Sequence, residues 1–421
     1  MIKVINCKNK NYKKKIIDFL DKRRSGKNID TSIVYKILKD IKKNKLKAVL
    51  KYEKKFSKNT KIKTTKIEIN QSIKKLNPKT KKAIDFAYSR IFKFHSLQKS
   101  KNIKFVDKYK NIIEYINVPI QICGIYVPSN LPSSLLMNAI PCQIAGVKKI
   151  IVATPRTNGK LNPGVMYAAK KCGVSEIITC GGAQAIGNLA YVKKVNKITG
   201  PGNDYVAKAK RLVFGEVGTE GFIAGPSEIC VVADKNTNLN EVLSSMVAQS
   251  EHGFESQSIL VTKYKELKNN VIKNISLYLK NLPRKKIATK SLKNHGLIVL
   301  CQNDKQIVEV INELSPEHLE LNLSKYKKYL NHIFNVGSVC IGKYSPMAAS
   351  DYNTGSNHNL GTLGTAKFAS GLNLSEFYKK ISHIKLSKLG IEKIGEYATH
   401  LADYENLHGH SKSIRSRMRS K

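Results

Sequence analysis

The sequence predicts an α/β protein with two mainly parallel sheets in tandem and small helical segments at its N- and C-terminal ends. Three observations carry that expectation. Apolar runs of strand length alternate with helix-length stretches between residues 120 and 342, Gly-rich turns punctuate the alternation, and both ends are Lys-rich with a helical pattern. Buried strands alternating with helices of about ten residues are what a parallel sheet with crossover helices requires.

Taken in order, residues 33–58 and 78–99 carry apolar residues at mixed three- and four-residue spacings, the period of a helix face. Pro78 suits a first helical turn, where its missing N–H costs nothing. Residues 118–127 read as extended and stop at Pro128. The first α/β stretch then gives a helix over 135–145, a strand over 149–153, a helix over 166–172 ended by Gly173, and a strand over 176–179. A helix over 184–191, a strand over 197–199, a helix over 204–213 and an apolar strand over 228–233 complete it. The second stretch gives helices over 239–250, 265–281 and 306–314, with strands over 258–262, 296–301 and 338–342. The tail from Leu374 reads as helical and ends in the basic run 415–421.

Composition bounds the function. At about 150 residues per domain, 421 residues suggest two to three domains, and 41% hydrophobic residues are enough for a full core. No run approaches the ~18 apolar residues of a membrane span. The start, Met1-Ile-Lys-Val-Ile-Asn-Cys-Lys, soon turns Lys-rich and lacks the apolar core of a secretory signal, so a soluble, cytoplasmic protein is expected. The net charge of +44 invites a nucleic-acid reading. Only nine of the 74 basic residues are Arg, however, and Lys is scattered along the chain among many Ile and Asn. That is compositional drift rather than a phosphate-reading surface, and no specific nucleic-acid partner is expected. Two stretches resist the drift: 181–190 has no charge, and 336–363 has only Lys343 and Asp351. The eight Cys form no C-x-x-C pair and read as free, mostly buried thiols.

The chemistry-bearing residues fall in and around these neutral stretches. Gly200-Pro-Gly-Asn-Asp-Tyr and Gly181-Gly-Ala-Gln lie between strand and helix, where backbone N–H groups receive anions. Neither is the dinucleotide fingerprint, because Tyr205 occupies the place of its third Gly. With Ala224-Gly-Pro-Ser-Glu, three such turns suggest a small-molecule crevice at strand C-termini. Gln249-Ser-Glu-His252 puts two ligand-grade groups on one helix face. Pro316-Glu-His318 sets an acid beside an imidazole, the two commonest proton carriers, though it also reads as an ordinary helix start. Asp351-Tyr-Asn-Thr-Gly-Ser-Asn-His358 and Glu405-Asn-Leu-His-Gly-His410 add further polar groups. His, Asp, Gln and Glu without Cys describe a site suited to Zn²⁺ with an open position. Periodicity and spacing lead no further than a metal-assisted α/β enzyme.

The ordered blocks resemble the histidinol dehydrogenase family. They run from Gly-Ile-Tyr126-Val-Pro, Leu-Met-Asn138-Ala-Ile-Pro and Gly-Gly-Ala-Gln184 to Gly-Pro-Gly-Asn203 and Ala-Gly-Pro-Ser227-Glu. Ala-Gln249-Ser-Glu-His252-Gly, Ser-Pro-Glu317-His318-Leu, the 351–358 loop, Phe368-Ala-Ser-Gly371-Leu and the 405–410 block continue the match, which covers roughly residues 120–412. The resemblance implies a four-electron oxidation of L-histidinol to L-histidine by two NAD⁺, through an aldehyde held on the enzyme, the last step of histidine biosynthesis. It assigns Gln249, His252, Asp351 and His410 to one Zn²⁺ per subunit, with the substrate completing the coordination. His318 becomes the base and Glu317 the group that activates water. Ser227, Glu405 and His358 join the metal ligands as substrate contacts, and Tyr126, Gln184 and Asn203 become NAD positions.

The resemblance further implies two incomplete Rossmann-like domains in an intertwined homodimer, with Glu405 and His410 serving the partner's site. It divides the chain into an N-terminal segment (1–20), a discontinuous first domain (21–122 and 228–372), a second domain with the NAD-contacting turns (123–227) and a C-terminal extension (373–421). Two stretches depart from the family pattern. After Pro128 the chain reads Ser-Asn-Leu-Pro-Ser-Ser where a longer Gly-rich loop is usual, and 190–197 is about four residues short. Two other classes fit parts of the pattern. A zinc hydrolase would use Glu317 without a nucleotide, and a nucleic-acid binder would show steep salt dependence.

Overall fold

The computed structural model describes residues 2–25, 31–223 and 225–418. Two parallel sheets dominate. The five-stranded sheet holds β4 (Ile122–Tyr126), β5 (Lys149–Ala153), β6 (Glu176–Ile178), β7 (Lys197–Thr199) and β8 (Gly218–Thr219), in the order β6-β5-β4-β7-β8. The six-stranded sheet holds β1 (Lys3–Asn6), β9 (Glu228–Ala233), β10 (Gln257–Thr262), β11 (Gly296–Leu300), β12 (His318–Asn322) and β13 (Ser338–Ile341), ordered β1-β11-β10-β9-β12-β13. A small antiparallel sheet joins β2 (Ile103–Val106), β3 (Ile112–Pro119) and β14 (Tyr378–Lys385) in the order β14-β3-β2.

Leaving β1 aside, both parallel sheets share one winding. The chain adds two strands on one side of the first, then crosses back to add two on the other. This is the doubly wound Rossmann-like order, with switch points between β4 and β7 and between β9 and β12. Strand periodicity explains the burial. Ile229 and Val231 enter the core on one face of the six-stranded sheet, while Cys230 and Val232 enter the core on the other. Cys123, Ile125, Ile150 and Val152 face one side of the five-stranded sheet, and Tyr126, Ile151, Ala153 and Ile198 the other. With helices on both faces, each fully buried Val or Ile contributes about 1.5–3 kcal/mol.

Three features differ from the sequence expectation. Residues 1–20 do not stand apart, because β1 pairs with β11 and Tyr12, Ile16, Phe19 and Leu20 pack into the six-stranded sheet's core. Helix Thr31–Ser57, grouped with 228–372 in the expected division, packs instead against the five-stranded sheet through Val34, Ile37, Leu38 and Ile41. The contact is tight enough that a Cβ on Gly187 would lie 2.8 Å from Ile41 Cδ1. The tail is not wholly helical either. After a short 3₁₀ turn, β14 pairs with β3 before helices Lys388–Tyr404 and His408–Arg415. Residues 419–421 of the basic run lie outside the described residues.

The small sheet lies under no second layer. Ile103, Phe105, Val106, Ile113, Tyr115 and Ile384 are all exposed. Ser387 caps the helix that follows and bonds the Tyr109 carbonyl at 2.6 Å, which ties the tail to the small sheet. All eight Cys are free and buried. Among the described residues, no helix is long and apolar enough to cross a membrane.

Candidate active site

Strands β9 and β12 are neighbours, with His318 in register with Ile229, so Glu228 and Glu317 start side by side at the N-terminal edge of the six-stranded sheet. Pro316 ends the preceding segment and His318 opens a strand, not the helix that Pro-Glu-His also allowed. The Glu228 N–H donates to Glu317 Oε2 at 2.8 Å and the Glu317 N–H to Glu228 Oε2 at 3.3 Å. Glu317 Oε1 remains, 3.9 Å from His318 Nε2, which is 3.8 Å from Asp351 Oδ1.

Both catalytic candidates are buried, Glu317 at 7% and His318 at 3% exposure. Burial pushes the Glu317 carboxyl well above its usual range, against the stabilising N–H of Glu228. Burial, with His358 and His252 close by, brings His318 down to about 3. Its ring is therefore a neutral imidazole, and its buried Nδ1 has no hydrogen-bond partner. A neutral imidazole beside a carboxyl is equipped to accept a proton from a bound hydroxyl.

The metal candidates come from two elements. Helix Leu239–Ser250 delivers Gln249, which is buried, and neither atom of its amide has a partner. His252 follows in the next turn, with Nε2 4.0 Å from Asp351 Oδ2. Asp351 follows the short helix Met347–Ser350, which packs against Leu239–Ser250, and burial raises its carboxyl to about 7. His358 Nδ1 lies 2.7 Å from the Asp351 carbonyl, which ties the 351–358 loop to this corner. An orphaned buried amide is costly, and an amide, an imidazole and a carboxylate are donors that suit Zn²⁺. These residues fit the ion.

His410 and Glu405 are not brought to this corner. Both are exposed on the projecting tail. Among the described residues, no three His, Cys, Asp or Glu side chains are gathered closely enough to hold a metal within one chain.

The expected nucleotide residues do converge. Tyr126 ends β4, Gln184 follows β6, and Asn203 caps helix Asp204–Val213 by accepting from the Val206 N–H at 3.2 Å. All three line one cavity of about 430 Å³, with Pro155, Gly181 and Gly182. Gly200 makes the crevice possible: at φ +115° a Cβ there would lie 2.1 Å from the Tyr126 carbonyl oxygen. The short stretch after Ala190 is closed by a π-helical turn over Asn188–Val192 that leads into β7. The third Gly-rich turn does not belong to this crevice. It leads into β9, so Ser227 sits beside Glu228 at the opposite kind of edge, and its Ala224 lies outside the described residues.

Sequence reading missed three buried charges. Glu53 of helix Thr31–Ser57 accepts from the Gly181 N–H at 2.8 Å and from Gln184 Nε2 at 2.7 Å, fixing the turn. Glu228 was passed over as part of a strand, and Arg23, which pairs with it, as one more cation in a basic helix. Glu228 is signalled in sequence only by its place in the Ala-Gly-Pro-Ser-Glu turn, and Arg23 and Glu53 by nothing local, since burial is a tertiary property.

Comparison with known proteins settles the family. Residues 21–418 match the family model described as histidinol dehydrogenase. The chain belongs to the histidinol dehydrogenase family. It is 50% identical to histidinol dehydrogenase from Pelagibacter ubique over 428 aligned positions that span 100% of both chains. It is 39% identical to that of Acinetobacter baylyi, over 91% of this chain and 92% of the other. The crystal structure of histidinol dehydrogenase from Elizabethkingia anophelis superposes with a TM-score of 0.89 at 32% identity, over 99% of this chain and 98% of that one. The family places the chain among the oxidoreductases of histidine biosynthesis, enzymes acting on a small molecule. The histidinol dehydrogenase match thus spans both sheets and the projecting tail.

Proposed function

We propose that this chain oxidises L-histidinol to L-histidine through L-histidinaldehyde, using two NAD⁺ and one zinc ion per subunit. The observation that carries the reading is the buried Glu317–His318 pair next to the orphaned Gln249 amide and Asp351. Gln249, His252 and Asp351, with His410 of the partner subunit, would hold the zinc, which when bound supplies a fixed charge that anchors the amino-alcohol. The cavity at Tyr126, Gln184 and Asn203 is where NAD⁺ would sit as hydride acceptor.

The chain's own residues supply the proton chemistry. His318 takes the hydroxyl proton in each oxidation, for which its neutral ring is ready. Glu317 activates the water that hydrates the aldehyde, through the oxygen left free of the Glu228 N–H. Ser227, Glu405 and His358 would contact the substrate and orient it.

The tail supports a homodimer as part of this proposal. Tyr397, Leu401, Tyr404 and Leu407 of the tail are exposed, as are Ile103, Phe105 and Ile384 of the small sheet, and exposed apolar groups of this kind favour an interface. Two copies would exchange their arms, carrying Glu405 and His410 into each other's site. Eight free thiols agree with a cytoplasmic setting.

The test is the ratio of NADH formed to L-histidinol consumed by purified protein, before and after chelation and zinc add-back. Two NADH per substrate, abolished by chelation and restored by zinc, are expected. Turnover of a substrate without NAD⁺ would support a zinc hydrolase instead, and no NADH with zinc bound would locate the failure at the cavity.

A further inference from the structure

We propose that Arg23 and Glu228 form a buried clamp that positions Glu317 for the second, aldehyde-oxidising half of the reaction. The inference rests on the function proposed above and concerns residues which that reading leaves without a role.

Arg23 lies in the last turn of helix Tyr12–Ser25, whose other basic residues meet solvent, yet it is 4% exposed. All three of its guanidinium nitrogens are engaged, on the turns that lead into β9 and β10. Nε donates to the Glu255 carbonyl at 3.0 Å, Nη2 to the Pro226 carbonyl at 2.9 Å, and Nη1 to Glu228 Oε1. Both carboxylate oxygens of Glu228 are in turn engaged. Oε1 also receives the Leu363 N–H at 2.9 Å, and Oε2 receives the Glu317 N–H at 3.3 Å. The Glu228 N–H then holds Glu317 Oε2 at 2.8 Å. Each carboxylate therefore grips the other strand's backbone, across two neighbours held in register by the sheet.

Two consequences follow. Glu317 is left with one bound oxygen and one presented toward His318, so its rotamer is set from behind rather than by substrate. Ser227 is fixed between two anchored neighbours, Pro226 and Glu228. A buried ion pair is often no more stabilising than apolar residues of the same volume. Its geometry here, with Arg23 fastened to the turn before β9 and Glu228 in turn holding the Glu317 N–H, points to positioning as its role. Two carboxyl groups set side by side at a sheet edge also repel, and the fork of Arg23 offsets that repulsion where a single Lys ammonium would meet one partner at a time.

The clamp is tested by measuring the two half-reactions separately in Arg23→Lys and Glu228→Gln, both in the full zinc-loaded chain. Alcohol oxidation is followed with L-histidinol and an aldehyde trap, and aldehyde oxidation with L-histidinaldehyde. Aldehyde oxidation is expected to fall about ten-fold or more beyond any fall in alcohol oxidation, since misplacing a reacting group by about 1 Å costs that much or more. The yield from L-histidinol should slide from two NADH toward one as aldehyde escapes. If both halves fall together, or if the yield stays at two, the clamp is overturned. Should a single variant fail to fold, Arg23→Met combined with Glu228→Gln removes both charges and is read the same way. A wild-type chain that makes NADH from neither substrate overturns the functional reading, and this inference with it. A wild type at two NADH with undifferentiated variants overturns the clamp alone.

Discussion

The two parallel sheets are wound in the same order but carry their candidate site residues at opposite ends. In the five-stranded sheet, the C-terminal ends of β4 and β7 open into a cavity of about 430 Å³ lined by Tyr126, Gln184 and Asn203. The corresponding corner of the six-stranded sheet, beyond β9 and β12, holds about 240 Å³ and is laced shut by its own residues. There Asp234 receives the N–H groups of Asn236 and Ser324, each at 2.9 Å. Asp304 is bonded by Lys263, Lys328 and the Tyr329 hydroxyl. The proposed reactive groups of this sheet, Glu317 and His318, stand at its N-terminal edge instead. A shared topology supplies candidate sites at every switch point. The two corners differ in how their polar groups are satisfied: Gln249 and His318 carry buried atoms without partners, while Lys263, Lys328 and Asp304 of the laced corner are engaged with one another.

The comparison breaks most sharply at the N-terminal edge. His318→Ala should lower kcat by about 10²–10⁴-fold, the usual contribution of a general base, while bound zinc stays unchanged by elemental analysis. His252→Ala should lose the metal, and full zinc occupancy in that variant would contradict its assignment as a ligand. At the open crevice, Glu53→Ala strips the acceptor from the Gly181 N–H and the Gln184 amide, and losing such charged hydrogen bonds costs about 1.5–3 kcal/mol. We expect the KM for NAD⁺ to rise about ten-fold or more with zinc content unaltered, read from initial rates at saturating L-histidinol.

The smallest effect belongs to the laced corner. Burial pushes Asp304 upward, but hydrogen bonds from Lys263, Lys328 and Tyr329 outweigh it and hold the carboxyl well below its usual value. A depressed carboxylate adds stability above its unfolded value of about 3.9 and loses it as pH falls through the folded one. Asp304→Asn should therefore lower Tm at pH 7 and converge on wild type below about pH 3.9. Because the side chain is 36% exposed, the loss should be no more than about 1 kcal/mol. Activity should be untouched, and an effect on turnover would mean that this corner is also in use.

Much of this arrangement is legible in the sequence where local signals agree. The apolar runs Lys149–Ala153 and Glu228–Ala233 are strands with the expected ends, and Asn203 and Asn238 cap helices that begin where the periodicity does. The Gly-rich turns and the Glu317–His318 pair also stand out, since such residues are costly to place without a reason. β1 and β14 are hidden because Lys-bearing strands, the four-residue β1 and the eight-residue β14 alike, look like any Lys-rich stretch until a remote partner pairs with them. Arg23 and Glu53 are hidden for a related reason: among 74 basic and 30 acidic residues, nothing local marks the ones that fold inward. The placement of His410 is out of reach for a single chain's local pattern, since its proposed site lies on another copy.

The central claim is that one active site combines the N-terminal edge of the six-stranded sheet and the cavity of the five-stranded sheet in one chain with the tail of another. The most direct test is activity of hybrid dimers made from His318→Ala and His410→Ala subunits, each inactive alone. If the arm acts in the partner's site, one of the two sites in each hybrid is intact, and mixing should restore up to about half of wild-type activity per hybrid dimer. If His410 serves its own chain, the defects fall in separate sites, both sites stay broken, and mixed dimers that remain inactive would contradict the account.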